Sequence, residues 1–470
     1  MLRQRLYGGV RLLGEGPCPK NVQRLDAGAR PMTHAMMVRG LQIDPAHFAK
    51  MDELLTQDME QMTEEVKQVA GRYINLGSGD QVSHFLFKEL GIKQARPKMT
   101  KSGDRESVDG EVLIAVQHLH PVISKILNYK EYDKLRGTYA RPIPKLARKV
   151  DGKWRLMPWL KDTRIPSGRF SCDAPNLLAM PNRTERGREL LNGFITDPGW
   201  VILSVDESQI EPRTVAHRSG DTHLRNIYLN KEDIYSDFSI KAFKIPDKRF
   251  KDEKGKWQYP GVDKKTHRFP SKTCILAGIY RVTAKGLVEQ MPVMCRRCGA
   301  EAAKHDGAVC AKFEALWNED NCQQIIDDFY GHYTGIGDMQ RMDDNRARTR
   351  TMVWDDWGRF LHTTAVRSVH PWVVSAAERE AGNMPIQGFA CGTLKLTMAA
   401  VHDDLVAEKM YGSVWYPLLP IHDEILCECR EDVVEDIAEL IKWRFRTCVE
   451  LAVPIEAEAA WAPRWGQILK

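Results

Sequence analysis

The sequence predicts a mixed fold of the α/β (α+β) class, in which helices surround an antiparallel sheet. Helical periodicity dominates up to about residue 140 and returns between two strand-like stretches, residues 199–206 and 416–430. The second stretch has the pattern of a hairpin whose turn holds His422 and Asp423. Both stretches carry carboxylates, so charged side chains are expected where these strands end or turn.

The N-terminal third is predicted to be helical. From Asp44 to Gly71, apolar side chains recur at three- and four-residue steps, as in a long amphipathic helix. A second helix is expected from residue 77, with Asp80 as its cap, and a third from residue 110. After Tyr139, repeated prolines break the helical period and shorter strand-like pieces begin.

Charge permits a polyanionic partner without requiring one. The 470 residues include 68 Lys and Arg against 63 Asp and Glu, a net charge of +5. Residues 248–272 are strongly basic, and residues 349–370 interleave arginines with aromatic side chains. Both segments suit a nucleic-acid-facing surface, and both also suit an ordinary solvated face.

Cysteine usage and hydropathy indicate a reduced, soluble, intracellular protein with no membrane segment. Eleven cysteines stand at irregular spacing, without a cleavable signal sequence or an apolar run long enough to span a bilayer. The first fourteen residues are basic and free of acids. An organelle transit peptide is one interpretation of them, and a disordered or nucleic-acid-touching arm is the preferred one.

Three carboxylates stand beside the predicted strands: Asp206, Asp423 and Glu424. Magnesium prefers hard oxygen ligands and often binds one or two carboxylates together with substrate phosphates. If the strands bring the aspartates together, they form a two-metal site that activates a hydroxyl and stabilises a leaving pyrophosphate. The alternative is that each is a turn or cap residue.

Arg268, Lys272, Leu276 and Tyr280 are spaced four residues apart. On a helix this spacing puts all four side chains on one face. Two cations followed by an aromatic ring fit a triphosphate and a base pair stacked at the tyrosine end. Taken alone, the pattern is also that of a solvated helix face.

The same spacing recurs at Arg379, Asn383 and Gln387. Guanidinium and amide groups can reach minor-groove acceptors and sugars of a nucleic acid. Pro385 is predicted to interrupt this helix, so a single continuous face is not expected. A structural role is the alternative for this triplet.

A cysteine cluster has the spacing of a metal site. Cys295, Cys298 and Cys310 are followed by Cys322, with His305 between them as an alternative fourth ligand. This pattern fits tetrahedral, structural Zn²⁺. Free thiols are the other interpretation, and a disulfide is disfavoured in a reducing compartment.

Taken in order, these segments resemble the polymerase part of family A DNA polymerases. Motif A corresponds to DESQIEPR from Asp206, motif B to RFPSKTCILAGIY from Arg268, and motif C to HDE ending at Glu424. Further similar segments are SGRFSCDAPNLLAMP, EREAGNMPIQG, INLGSGDQVSHFLFKELGI and YKEYDKLRGTY. The resemblance extends from about residue 33 to the C-terminus.

The resemblance implies a right-hand fold with an antiparallel palm sheet, helical fingers and a helical thumb. It implies that Asp206 and Asp423 hold two Mg²⁺ ions and that Glu424 supports them. Lys272 and Arg268 would grip the triphosphate, with Lys272 also a candidate proton donor to pyrophosphate. Other implied contacts to nucleotide or DNA involve Tyr280, Leu276, Gln209, Tyr235, Arg169, Asn176, Arg379, Asn383, Gln387 and His422.

Glu211 matches the sugar gate of the family, where a side chain crowds a ribose 2′-hydroxyl and so favours deoxynucleotides. Five other residues depart from the family pattern. They are Glu207 for an aromatic residue, Leu276 for phenylalanine or tyrosine, Arg281 for glycine, Tyr235 for histidine and Leu178 for glutamine. Glu207 either adds a charge beside the metals or points away from them. The other four departures put the selectivity for the sugar, the binding of the phosphates and the fidelity of synthesis in question.

The expected domains are an N-terminal arm (1–32), a thumb and N-terminal helical region (33–140), a first palm segment (141–235), fingers (236–348) and a second palm segment (349–470). A Cys-rich insertion is expected at 291–322. No exonuclease domain is expected, because too few residues precede the thumb. A polymerase region of this size that stands alone suggests a phage origin.

The expected activity is template-directed DNA synthesis by a monomer that binds primer-template DNA and dNTPs. Helicase, primase or a separate exonuclease are the expected replisome partners. Two alternatives are a single-subunit RNA polymerase and a non-catalytic, zinc-containing DNA-binding protein. Incorporation of rNTPs would identify the former, and DNA binding without primer extension would identify the latter.

Overall fold

The structure is a computed structural model that describes residues 16–94, 97–100, 102–182, 184–291 and 316–468. Helices predominate in these ranges, and the largest sheet has four antiparallel strands. The mixed class predicted from the sequence is therefore confirmed. None of the helices in these ranges combines the length and apolar character needed to cross a membrane.

The chain begins with two long helices, α1 (Pro19–Arg39) and α2 (Pro45–Ala70), separated by the short strand β1 (Leu41–Gln42). The side chain of Asp44 accepts hydrogen bonds from the backbone N–H groups of Ala46 and His47 and so caps the N-terminus of α2. Gly71 ends the helix in the left-handed conformation, with φ of 68°. The long helix predicted here is confirmed.

Shorter helices follow: α3 (Gly79–Ser83), α4 (Gly110–Val116), α5 (Val122–Leu135) and α6 (Pro142–Leu146). The predicted cap at Asp80 is wrong, since Ser78 precedes the helix and its hydroxyl accepts from the N–H of Gln81 at 3.4 Å. Asp80 lies inside the first turn and pairs with Arg105 instead. A carboxylate in the first turn still favours the positive end of the helix dipole.

Small strands then lead to the central sheet. They are β2 (Arg148–Val150), β3 (Lys153–Leu156), β4 (Trp159–Lys161) and β5 (Ser171–Asp173), and they are followed by α7 (Glu185–Leu191) and β6 (Trp200–Glu207). β3 pairs with β1 and β2, whereas β4 pairs with β5.

A mainly helical region follows β6. It contains α8 (Ile210–Ser219), α9 (Thr222–Leu229), α10 (Ile234–Ala242), β7 (Phe250–Lys251), β8 (Trp257–Gln258), α11 (Phe269–Ile279), α12 (Ala284–Gln290), α13 (Glu319–His332) and α14 (Thr334–Arg350). A π-helical turn, Lys264–Arg268, leads into α11.

The last part of the chain returns to the central sheet. It contains β9 (Met352–Trp354), β10 (Phe360–His362), α15 (Pro371–Ala407), β11 (Trp415–Ile421), β12 (Glu424–Arg430), α16 (Val434–Thr447) and β13 (Ala457–Ala462). The four-stranded sheet has the order β11–β12–β6–β13, and every neighbouring pair is antiparallel. The central strand β6 is therefore flanked by strands more than two hundred residues later in the chain.

Three large hydrophobic cores divide the described residues. The first surrounds the central sheet and draws on residues 25–55, 135–210 and 357–457. The second lies in the helical region, mainly from residues 215–339, and the third lies in residues 66–126. The expected boundaries at 140 and 235 do not coincide with these cores, because core membership depends on tertiary contacts that composition along the chain does not reveal.

Helix α1 departs from the expected arm at residues 1–32. Its start at Pro19 lies within that range, and Leu25, Met32 and Met36 are buried in the first core, where α1 packs against α15 and β11. Pro31 lies inside α1 and masks its helical pattern in the sequence. The first fifteen residues lie outside the described ranges.

Helix α15 also differs from the prediction, since it continues through Pro385. Proline removes one backbone hydrogen bond and crowds the preceding turn. Here the buried residues run almost without interruption from Met384 to Val401, so tertiary packing on all sides offsets this cost. Arg379, Asn383 and Gln387 therefore share one face of a continuous helix.

A buried ion pair joins α1 to α15. Lys395 is fully buried, and its Nζ donates to Oδ1 of Asp26 at 2.8 Å and to the carbonyl of Asp162 at 3.1 Å. Arg359 donates to the same Asp26 oxygen at 2.7 Å. Because burial removes the water that would otherwise solvate these charges, each depends on its partners.

We expect Lys395→Met to lower the free energy of unfolding by about 3 kcal/mol, because it leaves the buried carboxylate of Asp26 with Arg359 alone. Lys50→Met, at an exposed position of α2, should cost little. Denaturant unfolding measures the free energy of unfolding of the two variants. Adding Asp26→Asn to Lys395→Met should recover part of the lost stability, because it removes the charge left without Lys395. Equal stability of both single variants would contradict this account.

Candidate active site

The pairing of β6 with β12 brings the predicted carboxylates together. Asp206 and Glu424 are directly opposite each other in the antiparallel register. The N–H of Glu207 donates to the carbonyl of Asp423 at 3.0 Å, which holds the β11–β12 turn against the end of β6. Side chains opposite each other across antiparallel strands lie within about 5.5 Å at Cβ, so Asp206 and Glu424 converge at the same edge as the turn.

The turn itself consists of His422 and Asp423, as the sequence predicted, between the paired residues Ile421 and Glu424. His422 has φ of 53°. Two-residue hairpin turns need positive φ at their first central position, and histidine is among the side chains that tolerate it. This geometry leaves His422 exposed and Asp423 partly buried.

Asp423 is a carboxyl group whose ionised form is only partly compensated by its surroundings. Burial raises its pKa to about 7; Arg169 opposes this, while Glu211 and Asp206 add to it. Its Oδ1 is buried and makes no hydrogen bond within the described part of the chain. A carboxylate oxygen that lacks a partner, beside a second carboxylate, fits a divalent cation, since Mg²⁺ is bound by such oxygens.

Glu207, where the family commonly has an aromatic residue, points into the protein. The residue is 3% exposed, and neither carboxylate oxygen makes a hydrogen bond within the described residues. Burial raises its pKa well above the usual range; Asp423 and Asp206 contribute, and Arg213 opposes them. A protonated Glu207 would therefore add no charge at the metal-binding edge.

Glu211, at the start of α8, pairs with Arg169. Burial and the nearby Glu211 raise the pKa of Tyr280, and Gln387 lies close enough to oppose the shift. Arg169 also lies near Asp423, since each affects the pKa of the other. Asp423, Arg169, Glu211, Tyr280 and Gln387 therefore form one connected group that joins the sheet to α8, α11 and α15.

Gln209 occupies the N-cap position of α8 with φ of 58°, and its Oε1 accepts a hydrogen bond from the hydroxyl of Tyr228 at 3.1 Å and not from the helix backbone. Arg213 lies one turn further along α8. Its guanidinium donates to the carbonyl of Ser208 at 2.8 Å and stacks over the Tyr228 ring at 4.5 Å. These contacts fix the segment between Asp206 and Glu211. Sequence reasoning missed Arg213 because no spacing rule pairs it with an aromatic ring on α9.

The basic face at the start of α11 packs around Tyr235. Arg268 lies 5.1 Å and Lys272 5.8 Å from the centre of the Tyr235 ring. Arg268 also donates two hydrogen bonds to Asp233, at 2.8 and 2.9 Å, while Lys272 is exposed. Burial raises the pKa of Tyr235 to about 12, with a contribution from Glu211 that links this face to the Asp423 group.

Two departures from the family pattern lie further along α11. Leu276 is half-buried on the face that continues from Lys272 towards Tyr280. Arg281 follows Tyr280 with φ of 57°, a conformation that glycine adopts without strain. Its guanidinium pairs with Asp344 and donates to the carbonyl of Gln340 at 2.9 Å, which compensates for the strain and ties α11 to α14.

On α15, Arg379 is exposed and donates to the hydroxyl of Ser375 at 2.6 Å. Asn383 has a buried Oδ1 that makes no hydrogen bond within the described ranges. Asn176 has a local structural role, because its Oδ1 accepts from the N–H of Leu178 at 3.2 Å and caps a 3₁₀ turn. Leu178 is buried in the first core.

The cysteine cluster is described only in part. Cys295, Cys298, His305 and Cys310 lie outside the described residues. Cys322 is fully buried on α13 in the second core, close enough to Cys274 to contribute to the raised pKa of that thiol. Burial among apolar side chains also raises the pKa of Cys322 to about 11.

Sequence comparison places these features in a known group of proteins. Residues 45–467 match DNA polymerase family A. DNA polymerase I from Thermus aquaticus is 29% identical over 469 residues, covering 99% of this chain and 50% of that protein. Its counterpart from Thermus filiformis is 29% identical over 437 residues, covering 93% and 47%. The chain thus spans about half the length of the curated relatives it matches.

Structural comparison agrees with this result. The polymerase domain of Pol1 from M. smegmatis, solved in complex with DNA primer-template and dNTP, matches with a TM-score of 0.80 at 24% identity. The match covers 95% of this chain and 72% of that one. It confirms the predicted right-hand fold, with an antiparallel palm sheet, helical fingers and a helical thumb. By its match over residues 45–467, the chain belongs to DNA polymerase family A.

Proposed function

We propose that this chain is a template-directed DNA polymerase, which adds dNTPs to a primer 3′-hydroxyl and releases pyrophosphate. The observation that carries the proposal is the convergence of Asp206 and Asp423 at one edge of the palm sheet, where Asp423 has an unpartnered oxygen. Family membership and the similar Pol1 domain, bound to primer-template and dNTP, support it.

Asp206 and Asp423 are the proposed ligands of two Mg²⁺ ions, and Glu424, opposite Asp206, would support them. When bound, two such ions lower the pKa of the attacking hydroxyl and stabilise charge on the entering and leaving oxygens. Arg169 faces Asp423 and limits the repulsion among these carboxylates. The N–H of Glu207 keeps the turn in place during this chemistry.

Lys272 and Arg268 are the residues proposed to bind the triphosphate. Lys272 is exposed at the start of α11 and can donate to phosphate oxygens and to the departing pyrophosphate. Asp233 holds Arg268 by two parallel hydrogen bonds, which orient the guanidinium on the same face. The ring of Tyr235 contacts both cations, at a position where the family commonly has histidine.

Glu211 is the proposed sugar gate, with Arg169 holding its carboxylate in place. Tyr280 and Leu276 would line the base and sugar positions, and Gln209 would contact the incoming nucleotide. The proposed contacts to primer, template or minor groove are Arg169, Asn176, Arg379, Asn383, Gln387 and His422. Exposure of Arg379 and His422 is consistent with such contacts.

We propose the first core as palm, the second as fingers and the third as the thumb. This assignment moves the start of the fingers to about Val215 and limits the thumb core to residues 66–126. Structural zinc at the cysteine cluster stays a prediction, with Cys322 as the fourth ligand and His305 as the alternative. Helicase, primase and a separate exonuclease also stay predictions, as does the monomeric state.

Primer extension with magnesium tests the proposal. We expect Asp206→Asn and Asp423→Asn each to lower kcat by on the order of 10³-fold or more, because each removes a proposed carboxylate ligand. Asp432→Asn, an exposed carboxylate just past the other end of β12, should keep full activity. Measured binding of primer-template by all variants controls for folding.

Two results would contradict this assignment. Extension by both active-site variants at the rate of Asp432→Asn would remove the two aspartates from the reaction. Failure of the intact protein to extend any primed template, while it still binds DNA, would favour the non-catalytic alternative. Extension with rNTPs as readily as with dNTPs would favour an RNA polymerase.

Nucleotide selectivity tests the sugar gate. We expect Glu211→Ala to raise kcat/KM for rNTPs relative to dNTPs on the order of 10-fold to 100-fold, because it removes the bulk beside the 2′ position. Glu211→Gln keeps that bulk and loses the charge that pairs with Arg169, so it should retain most discrimination. Equal relaxation in both variants would mean that charge, and not volume, excludes the 2′-hydroxyl.

Stability against pH tests Asp423 as a magnesium ligand. Its folded pKa of about 7 exceeds the ordinary 3.8, so the metal-free fold retains this proton and loses stability as pH rises from about 4 to about 7. Magnesium requires the ionised carboxylate. We therefore expect Mg²⁺ to raise Tm more at pH 8 than at pH 6, and Asp423→Asn to abolish that difference.

Asp432→Asn serves as the control, since it should keep the pH-dependent effect of Mg²⁺. Glu207 also has a raised pKa, so the comparison rests on the difference between the intact protein and Asp423→Asn. A magnesium effect on Tm that is the same at both pH values in the intact protein would contradict the assignment of Asp423.

A further inference from the structure

A second convergence of polar side chains lies in the fingers core, on elements that carry none of the metal-binding carboxylates described above. His223 of α9 and His332 of α13 direct their Nε2 atoms at Oδ2 of Asp237 on α10, at 3.1 and 3.0 Å. The two imidazole rings lie 4.3 Å apart, nearly perpendicular to each other. All three ligand-type atoms lie within 4.8 Å of one another.

More hydrogen-bond donors converge on Oδ2 of Asp237 than this oxygen can accept. Besides both imidazoles, the hydroxyl of Tyr333 lies 3.4 Å from Oδ2 of Asp237. A carboxylate oxygen offers about two lone-pair sites, whereas three potential donors converge here. A cation between the nitrogens and Oδ2 removes the conflict, because each imidazole then presents a lone pair and not a proton.

Charge around the cluster also favours a cation. Arg249 donates to Oδ1 of Asp237 at 2.7 Å, and it is shared with Glu232 at 2.6 Å and Asp247 at 2.8 Å. Three carboxylates thus compete for one guanidinium. The side chain of Asp237 is completely buried, so its charge is not solvated by water and needs positive partners in the protein.

We propose that His223, Asp237 and His332 form a transition-metal site of the zinc class. Two neutral imidazoles and one carboxylate are a ligand set that Zn²⁺ accepts, at distances of about 2.0–2.2 Å and with a fourth position open to water. Metal–ligand bonds of this length leave neighbouring ligand atoms roughly 3.3–3.6 Å apart in tetrahedral geometry. The observed nitrogen-to-oxygen distances of 3.1 and 3.0 Å are a few tenths of an ångström shorter, so the three side chains need only a small outward shift to hold an ion between them.

The site would act as a structural cross-link. It joins α9, α10 and α13, whose side chains form much of the fingers core. An entry route exists, because the side chain of His223 is 42% exposed and that of His332 is 19% exposed. Asp233 and Tyr235, which contact Arg268, stand shortly before Asp237 in the chain, at the start of the same helix, so the ion would also steady the proposed nucleotide-binding face.

Metal titration of the purified full chain tests this proposal. The probe is Co²⁺ in place of Zn²⁺, because ligation by thiolates gives intense charge-transfer absorption and ligation by imidazole and carboxylate does not. Cys295→Ser/Cys298→Ser serves as the background, which removes ligands of the predicted cysteine site. With excess Mg²⁺ present to occupy the proposed palm carboxylates, we expect this background to bind one equivalent of Co²⁺ with weak d–d bands only.

His223→Gln and His332→Gln, each in the same background, should lower the bound Co²⁺ by one equivalent. His34→Gln, at an exposed position of α1, is the matched control and should bind as the background does. We also expect Zn²⁺ to raise Tm of the background and of His34→Gln but not of the two cluster variants. Glutamine keeps hydrogen-bonding capacity, so a loss confined to metal binding is distinguishable from misfolding.

Two outcomes would overturn the proposal: no metal bound by the background protein, or binding and a Zn²⁺ effect on Tm that persist in both cluster variants. In either case the cluster would be a hydrogen-bonded network only. These measurements do not depend on primer extension. Failure of the polymerase proposal would therefore leave them interpretable, and the reverse also holds.

Discussion

The antiparallel register between β6 and β12 is the constraint on which the site depends. A shift of β6 by one residue would put Val205 or Glu207 opposite Glu424 in place of Asp206 and would move every buried side chain of β6 to the opposite face. The buried apolar residues of both strands belong to the first core, so the packing energy of that core enforces the register. The hydrophobic pattern thus fixes the position of the chemistry, although no apolar side chain takes part in it.

The site combines features that cost stability. Asp206, Glu207 and Asp423 stand close together with only partial compensation from Arg169 and Arg213. Burial of carboxylates without full pairing is unfavourable, and natural proteins accept such conflicts where function requires them. The surrounding sheet and the contacts of Arg213 with Ser208 and Tyr228 hold these groups in place despite their repulsion.

Local patterns predicted the elements whose signals are local. The length of α2, the strand at β6 and the turn at His422 follow from periodicity and turn chemistry. The helix through Pro385 could not be predicted, because the packing that offsets a proline comes from distant parts of the chain. The fingers cluster was missed for the same reason: His223 and His332 are more than a hundred residues apart, and no spacing rule relates them.

The docking of α1 onto α15 constrains how the protein can be made. During vectorial synthesis, Asp26 leaves the ribosome several hundred residues before its partner Lys395. The central sheet likewise cannot be completed until β13, residues 457–462, has been synthesised. Most residues of the fingers core, by contrast, have been synthesised by residue 339. Long-range pairing is slow and leaves apolar surface exposed meanwhile. The third core, complete by residue 126, and then most of the fingers core can therefore fold on the ribosome, and the palm closes last, beside parts of the protein that have already formed.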